Sequence, residues 1–423
     1  MKLWICLLIS LLVSGTFAQE KTTITWLTLS EWGGDGDISA VINAFEADNP
    51  DIEVKLDQLP FNDLFTQIQI RMNAGGGDPD VLSVDVPVTA SYGIRGWLLP
   101  LDDVFNEQEK ADWLEAALEA GTYDGQLLSA PVSTSTQLLI YNKALFEKAG
   151  ITPPGPDERW TWEHIAEVAP ELTSDTNGDG TPDIWGFNWE QTIRIYQLQA
   201  LAASLGAQAI GEDGVTVNGI INSTQWVKAF TYYQNMFTTL KAAPQNDTVM
   251  VPDMFRSGNL AMFVGGPWNI RNFATEPLDF DWAVSRHPYF EGGSVAIPTG
   301  SWHIGVSATS DQPEAAKRFV HWLTTGKGAE IWWRQGSGDF PAQKSVLDLF
   351  ATDEEFSTPP LSYMRTAADE ASANGVPRPS TVGYLEYEQI LQNAFADIRN
   401  GSDVKQTLDT AASRIESEMA KYR

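Results

Sequence analysis

The sequence has a single cysteine, Cys6, and few basic residues for its length. It contains 27 Lys and Arg against 56 Asp and Glu, which gives a formal net charge of −29. One cysteine permits no disulfide within the chain. A strongly acidic chain repels nucleic acid and anionic membrane surfaces, so the composition excludes both as expected partners.

Long hydrophobic runs are also missing, except at the start of the chain. Residues 1–18 carry one Lys, an apolar run that contains Cys6, and small residues before Gln19. This pattern is typical of a cleaved secretory signal peptide, and its apolar run is too short to span a membrane comfortably. A lipid-anchored protein would have a cysteine in place of Gln19. We therefore expect a soluble protein in the periplasm or outside the cell, without disulfides or a catalytic thiol.

A chain of 423 residues is too long for one compact core, so two lobes are expected. Its first part alternates strand-like runs with helical stripes; the strands are 23–27, 52–56 and 80–85, and the stripes are 38–45 and 64–72. This order predicts a parallel, doubly wound sheet. Trp32 follows the first strand and Asp85 is the last residue of the third, so both should lie at the ligand-binding edge of that sheet.

The stretch 253–271, DMFRSGNLAMFVGGPWNIR, carries the clearest local signals in the chain. Its apolar run, Leu260–Val264, is long enough for one strand buried on both faces. Two glycines then allow a ligand to approach the backbone closely, and Pro267 suits the start of a helix. The pattern predicts a strand, a tight turn and a helix N-terminus, with Gly266 and Trp268 contacting a ligand. The alternative is a core tryptophan after the turn.

The motif F-x-x-G-x-x-A-M followed by G-P-W in this stretch resembles the signature of extracellular solute-binding protein family 1, the sugar receptors of ABC importers similar to maltose-binding protein. The phrases NPDIEV, GDPDVLSVD, GWLLPL, YNKALFEKAG and PEAAKRFVHWLTT also resemble this family, in the family's order. The resemblance implies a two-lobed periplasmic-binding-protein fold of type II. Each lobe would be an α/β unit with a doubly wound, mainly parallel sheet flanked by helices, and a multi-strand hinge would join the lobes.

The resemblance also implies the domain boundaries. The expected segments are a signal peptide at 1–18, a first lobe at 19–132 plus 286–328, and a second lobe at 133–285 plus 329–423, with the ligand cleft between the lobes. The first crossing is expected at a polar turn, 131–136, where Thr134 and Ser135 would offer hydroxyls to the cleft. An ordinary polar turn is the alternative. The chain after the third crossing is expected to be helical and to belong to the second lobe.

Further ligand contacts are expected from aromatic and polar residues along the chain. The segment WGFNW, 185–189, indicates a stacking wall, because two tryptophans flank a glycine in a polar setting. The resemblance implies that Trp302 lies on a cleft-lining strand and that Arg378 and Tyr384 lie in a late cleft-lining loop. The full predicted set is Trp32, Asp85, Thr134, Ser135, Trp185, Asn188, Trp189, Gly266, Trp268, Trp302, Arg378 and Tyr384.

The segment DTNGDGTPD, 175–183, matches part of the EF-hand calcium loop. The predicted ligands are Asp175, Asn177, Asp179, Thr181 and Asp183. Gly186 stands where the EF-hand has its bidentate Glu, so the loop is incomplete, although Glu190 or another carboxylate could complete it in space. The alternative is a loop of Asx turns that holds no ion.

Aromatic rings can cover the apolar C–H faces of a pyranose, and Asp, Asn, Ser, Thr and Arg can bond its hydroxyls. Several tryptophans predict a ligand of two or more sugar units, and the lack of an obvious Lys/Arg cluster predicts a neutral one. We expect a monomeric high-affinity receptor that closes around this ligand and delivers it to an ABC permease, without catalysis or a cofactor other than a possible structural calcium. The alternatives are a secreted glycoside hydrolase or lyase and a receptor for a non-sugar solute. No nucleophile elbow, metalloprotease helix or phosphate loop is present in the sequence.

Overall fold

The computed structural model describes residues 21–33, 38–245 and 249–423, so the expected signal peptide lies outside the described residues. The strands are β1 Thr22–Leu29, β2 Ile52–Leu59, β3 Val81–Asp85, β4 Thr122–Tyr123, β5 Gln126–Leu127, β6 Ala130–Ser135, β7 Leu138–Asn142, β8 Trp185–Trp189, β9 Leu260–Gly265, β10 Trp282–Ser285, β11 Ile297–Val306 and β12 Gly375–Pro377.

The helices are α1 Ser39–Asp48, α2 Phe61–Ala74, α3 Thr89–Ile94, α4 Glu107–Asp112, α5 Glu115–Ala120, α6 Lys143–Ala149, α7 Trp162–Leu172, α8 Ile195–Ser204, α9 Thr224–Thr238, α10 Val251–Arg256, α11 Trp268–Thr275, α12 Pro313–Thr324, α13 Gly326–Trp332, α14 Lys344–Thr352, α15 Tyr363–Asn374, α16 Tyr384–Arg399 and α17 Val404–Met419. Within the described part of the chain, no helix has both the length and the apolar character needed to cross a membrane.

The first lobe is built on a sheet with the strand order β12-β11-β3-β1-β2, in which β6 also pairs with β11. β1 is parallel to both β2 and β3, as the alternating strands and helices predicted. β11 returns from the second lobe and runs antiparallel to β3 and β6. Every residue of β3 is buried, because the sheet is covered on both faces. Asp85 therefore lies at the end of a buried strand, facing the other lobe.

The second lobe is built on a sheet with the order β10-β7-β9-β8. β8 is parallel to β9, and helices α8 to α10 supply the crossover that a parallel pair requires. β7 follows directly from β6 and runs antiparallel to both β9 and β10. The pairing in this lobe is thus mainly antiparallel, which differs from the expected mainly parallel sheet. The two-lobed α/β architecture itself is confirmed.

The crossings between the lobes differ in detail from the expected polar turn. Residues 130–135 form β6, and Ser135 and Thr134 lie opposite Gly300 and Ser301 of β11. The chain therefore leaves the first sheet after Ser135. The late part of the chain is not wholly helical either, because β12 pairs in parallel with β11 and returns the chain to the first-lobe sheet.

The stretch 253–271 folds as its sequence predicts. α10 ends before Gly258, which has a φ of 76° and so takes the left-handed conformation that favours glycine. All residues of β9 are buried, and Pro267 directly precedes α11. Because β8 lies parallel to β9, the carboxyl ends of both strands open at the same edge of the second lobe. Trp268 stands at that edge, as the first residue of α11.

Candidate functional site

A cavity between the two lobes brings together residues from both lobes. Its lining consists of Phe61, Asp85, Ser135, Gln191, Tyr196, Trp268, Gly300, Ser301, Trp302 and Arg378. Trp268 comes from the second lobe and Trp302 from β11 of the first lobe, and both indoles are partly exposed. Carboxylate, hydroxyl, amide and guanidinium groups complete the lining. The cavity therefore combines two aromatic surfaces with a polar rim.

The Trp268 indole is held by the turn that precedes it. A Cβ atom added to Gly266 would meet the six-membered ring of Trp268 at 2.1 Å, so the ring packs directly against the glycine backbone. The indole Nε1 donates a 2.7 Å hydrogen bond to Glu190, the residue that follows β8. Gly266 N and Asn269 Nδ2 donate to the same carboxylate at 3.1 and 3.0 Å. The close parallel pairing of β8 and β9 makes this arrangement possible.

Trp302 rests on an aromatic cluster of the first lobe. Trp32 meets it edge-on, with ring centroids 5.4 Å apart, and Phe65 stacks on it at 6.3 Å. Trp32 is itself only 5% exposed and packs on Trp332 of α13 at 4.8 Å. Phe61 extends this cluster to the cavity lining. The position of Trp302 is therefore set by core packing behind it.

The polar wall of the cavity centres on a buried ion pair. Arg378 donates both terminal nitrogens to the carboxylate of Asp85, and the Nη1–Oδ2 distance is 2.6 Å. The guanidinium also lies over the ring of Tyr196, 4.8 Å from the centroid, and the Tyr196 hydroxyl shares a 2.9 Å hydrogen bond with Ser135. Burial disfavours the charge on Arg378, yet the adjacent Asp85 carboxylate raises the pKa of the guanidinium above its usual value. The wall is thus polar but locally neutral.

The structure brings part of the predicted set into the cavity. Asp85, Ser135, Trp268, Trp302 and Arg378 line it. Three more of the predicted residues support its lining without being part of it. Gly266 lies beneath Trp268, Trp32 lies behind Trp302, and the Thr134 hydroxyl donates to the Gly300 carbonyl at 3.3 Å. Their roles in ligand binding stay predictions.

The predicted stacking wall at 185–189 is wrong as a surface of this cavity. Trp189 is 1% exposed and packs against Trp162, Phe187 and Tyr233 in the core of the second lobe. Trp185 pairs with Leu260 at the amino end of the strand, roughly 13 Å from its carboxyl end at about 3.3 Å per residue.

Asn188 and Tyr384 are also enclosed rather than cleft-lining. Asn188 is fully buried, and its side-chain oxygen accepts from the Trp189 backbone N–H at 2.9 Å. Tyr384 is fully buried at the start of α16, where its hydroxyl donates to Glu388 at 3.2 Å. Neither side chain lines the cavity, because each is fully buried within the protein.

The cavity also contains residues that the sequence did not single out: Phe61, Gln191, Tyr196, Gly300 and Ser301. Ser301 could have been found beside Trp302, and Gln191 directly follows WGFNWE. Glu190 was considered as a calcium ligand, but the structure places it at the Gly266–Trp268 turn instead. Tyr196 has no local signal, because its role depends on α8 packing against β11.

The loop 175–183 is held by its own hydrogen bonds. The Asp175 carboxylate accepts from the backbone of Gly178 and Gly180 at 2.6 and 2.7 Å. The Asp183 carboxylate accepts from Thr176 and Asn177, and these bonds lower its pKa. Within the described ranges, no group of three or more His, Cys, Asp or Glu side chains is placed to hold a metal ion. The observed geometry is that of an Asx-turn loop, and calcium binding by Asp175, Asn177, Asp179, Thr181 and Asp183 stays a prediction.

Comparison with known protein families adds to this geometry. A family model described as bacterial extracellular solute-binding protein matches residues 34–330, which is more than half of the chain. The chain belongs to this family. The match begins after β1 and ends within α13, so it includes the Gly266–Trp268 turn and Trp302. It ends before Arg378.

Individual relatives of this solute-binding protein cover most of its length. An ABC substrate-binding protein from Listeria monocytogenes, solved in complex with cycloalternan, superposes with a TM-score of 0.82 at 27% identity, covering 95% of this chain and 100% of that chain. The mannitol-binding protein of Pseudomonas aeruginosa is 25% identical over 79% of this chain and 77% of its own length. An sn-glycerol-3-phosphate-binding periplasmic protein of Escherichia coli is 24% identical over 94% of this chain and 92% of its own length.

Proposed function

We propose that this protein is a secreted receptor that binds a neutral sugar or oligosaccharide in the cavity between its lobes. The observation that carries the proposal is a cavity lined by two partly exposed indoles, Trp268 from one lobe and Trp302 from the other, together with a polar rim. An indole can cover the C–H face of a pyranose, and hydroxyl, carboxylate and amide groups can pair with its rim. Two indoles from opposite lobes give two such surfaces. A ligand between them would favour the closed arrangement of the lobes.

The charges around the cavity support a neutral ligand. Arg378 is paired with Asp85, and Arg194, which lies over the Phe61 ring at 4.6 Å, is 2.9 Å from Glu388. A phosphate or carboxylate group is usually bound by cations that are available to pair with it. The Listeria relative was solved with cycloalternan and the Pseudomonas relative is named for mannitol, both uncharged, whereas the Escherichia relative is named for a phosphate ester. Because both arginines are already paired with carboxylates, the cavity favours an uncharged carbohydrate over a phosphate ester.

Delivery of the ligand to the permease of an ABC importer completes the proposal. It is supported by family membership, by the signal-peptide pattern at 1–18 and by the two-lobed fold. We further propose that the mature protein is a monomer in the periplasm or at the cell exterior and that it has no catalytic activity. An opening and closing receptor needs no second subunit to form the cavity, since both indoles come from one chain.

A calorimetric titration with a defined panel tests the proposal. The neutral panel contains maltotriose, cycloalternan and mannitol, and the charged panel contains sn-glycerol 3-phosphate, inorganic phosphate, a short peptide and spermidine. We expect saturable binding of at least one neutral carbohydrate and none of the charged compounds. Binding confined to a charged compound would contradict the proposal. Chromatography of the recovered carbohydrate separates a receptor from a glycoside hydrolase, because a hydrolase would return shorter products.

A further inference from the structure

One carboxylate accepts hydrogen bonds from three groups of the turn that carries Trp268 to the cavity. Glu190 Oε1 accepts from the Trp268 indole, and Oε2 accepts from Gly266 N and Asn269 Nδ2. The same indole packs on Gly266. We propose that Glu190 is a positioning residue, whose ionised carboxylate fixes the plane of the Trp268 indole against Gly266 and so prepares the ring for ligand stacking. This inference rests on the proposed function, because it assigns the ligand to the Trp268 face.

The hydrogen-bond directions require a carboxylate at this position. The three groups that bond to Glu190 are all donors, and a carboxylate offers acceptor sites only. A glutamine has nearly the same shape, but its NH₂ group must face either the indole N–H or the pair formed by Gly266 and Asn269. Either orientation sets donor against donor. A protonated carboxyl group creates the same conflict at one of its oxygens.

The ionisation of Glu190 is expected to change near neutral pH. Desolvation by its surroundings raises its pKa to about 7, and the hydrogen bonds from Trp268, Asn269 and Gly266 limit the shift. Part of the side chain is still accessible to solvent. The titratable group that faces it from another element is Asp339, which follows the turn after α13; burial raises the Asp339 pKa well above its usual value, and the Glu190 charge adds to the shift.

The first test needs no ligand and uses the indole N–H resonances of the full-length protein labelled with ¹⁵N-tryptophan. The Trp268 resonance is identified by its absence in Trp268→Phe. We expect this resonance to shift with a midpoint near pH 7 in the wild-type protein and in Glu163→Gln, and to show no such titration in Glu190→Gln. Glu163 is a matched control, because its carboxylate also accepts a backbone N–H, at 3.0 Å, on the same lobe. The proposal is overturned if the chemical shift of the Trp268 resonance does not change between pH 6 and pH 8, or if it still titrates in Glu190→Gln.

The second test is a double-mutant cycle read by calorimetric titration, with maltotriose as the first probe and the other panel carbohydrates after it. Glu190→Gln should weaken binding about ten-fold in the wild-type background, the size expected for a hydrogen bond to a charged group. In the Trp268→Phe background, which keeps a ring but lacks the N–H, the same change should weaken binding less than about two-fold. Wild-type affinity should also fall about five-fold between pH 8 and pH 6, because the fraction of ionised Glu190 falls and the uncharged form binds about ten-fold more weakly.

The outcomes separate this inference from the proposed function. If the wild-type protein binds a carbohydrate and Glu190→Gln weakens binding equally in both backgrounds, Glu190 does not act through Trp268 and the inference is wrong. If Glu190→Gln binds as tightly as the wild-type protein, the inference is also wrong, but the receptor function stands. If the wild-type protein binds no carbohydrate of the panel, the proposed function fails, and the indole titration alone decides whether Glu190 fixes Trp268.

Discussion

Replacing Trp268 by alanine should remove a ligand surface while leaving the second lobe folded. The residue is partly exposed at the first position of α11, and its Nε1 bonds to Glu190. Trp189 offers a matched control, because it is the same residue type near the same sheet edge but is 1% exposed among Trp162, Phe187 and Tyr233. The two substitutions should therefore have opposite effects on affinity and stability.

The magnitudes follow from what each ring contacts. A sugar that covers roughly 80 Å² of the Trp268 face gains about 2 kcal/mol at about 25 cal/mol per Å². Aromatic contact geometry adds about 0.5–1.5 kcal/mol. The sum corresponds to a weakening of about 100-fold in Trp268→Ala. Loss of the hydrogen bond to Glu190 should cost about 1–2 kcal/mol of stability, whereas Trp189→Ala should cost about 3–5 kcal/mol by emptying a core position.

Two assays on the same preparations decide between these roles. Calorimetric titration with a panel carbohydrate gives the affinity, and urea unfolding gives the free energy of unfolding. We expect Trp268→Ala to unfold near the wild-type midpoint with strongly reduced affinity, and Trp189→Ala to unfold early with normal affinity in the folded fraction. A Trp268→Ala protein that binds normally and unfolds early would instead show that Trp268 is a core residue and not a ligand contact.

Three further predictions concern the loop, the lobes and the effect of pH. If the loop 175–183 binds calcium, a chelator should lower the melting temperature of calcium-loaded protein, and Asp179→Ala should abolish the difference; equal melting with and without calcium would count against the site. Saturating carbohydrate should reduce the radius of gyration in small-angle X-ray scattering, and an unchanged radius would contradict closure. Burial lowers the pKa of His287 from 6.5 to about 3, so the unfolded chain binds more protons between these values and stability should fall as pH drops below about 6.5. Urea unfolding at pH 7 and pH 4.5 should show a smaller loss in His287→Phe than in the wild-type protein, and an equal loss would exclude this histidine as a cause.

Features with strong local signals could be predicted from the sequence. Gly258 follows α10 in a left-handed conformation, and Pro267 directly precedes α11, because each residue has a backbone preference that needs no tertiary context. β9 is a continuous apolar run, which marks a strand buried on both faces. The position of Asp85 at the end of β3 followed from the β-α-β order alone. Together, these features predicted the sheet edges at which the cavity lies.

Features that depend on partners distant in sequence could not be predicted in the same way. Residues 130–135 contain proline and small polar side chains, typical of a turn, but pairing with β11 makes them a strand. The sequence predicted that Trp185 and Trp189 form one stacking surface. It does not show that Trp185 lies at the far end of β8 and that Trp189 is buried in the core. The role of Glu190 requires the parallel pairing of β8 and β9, which sets its carboxylate beside a turn that lies far along the chain.

The central claim is that a carbohydrate binds between Trp268 and Trp302, and a crystal structure with the tightest-binding carbohydrate of the panel tests it most directly. We expect a sugar ring stacked on the Trp268 indole, with Trp302 against the ligand from the other lobe and the sugar hydroxyls hydrogen-bonded to the polar groups around Asp85 and Arg378. Electron density for the carbohydrate elsewhere on the protein, and none in this cavity, would contradict binding between Trp268 and Trp302.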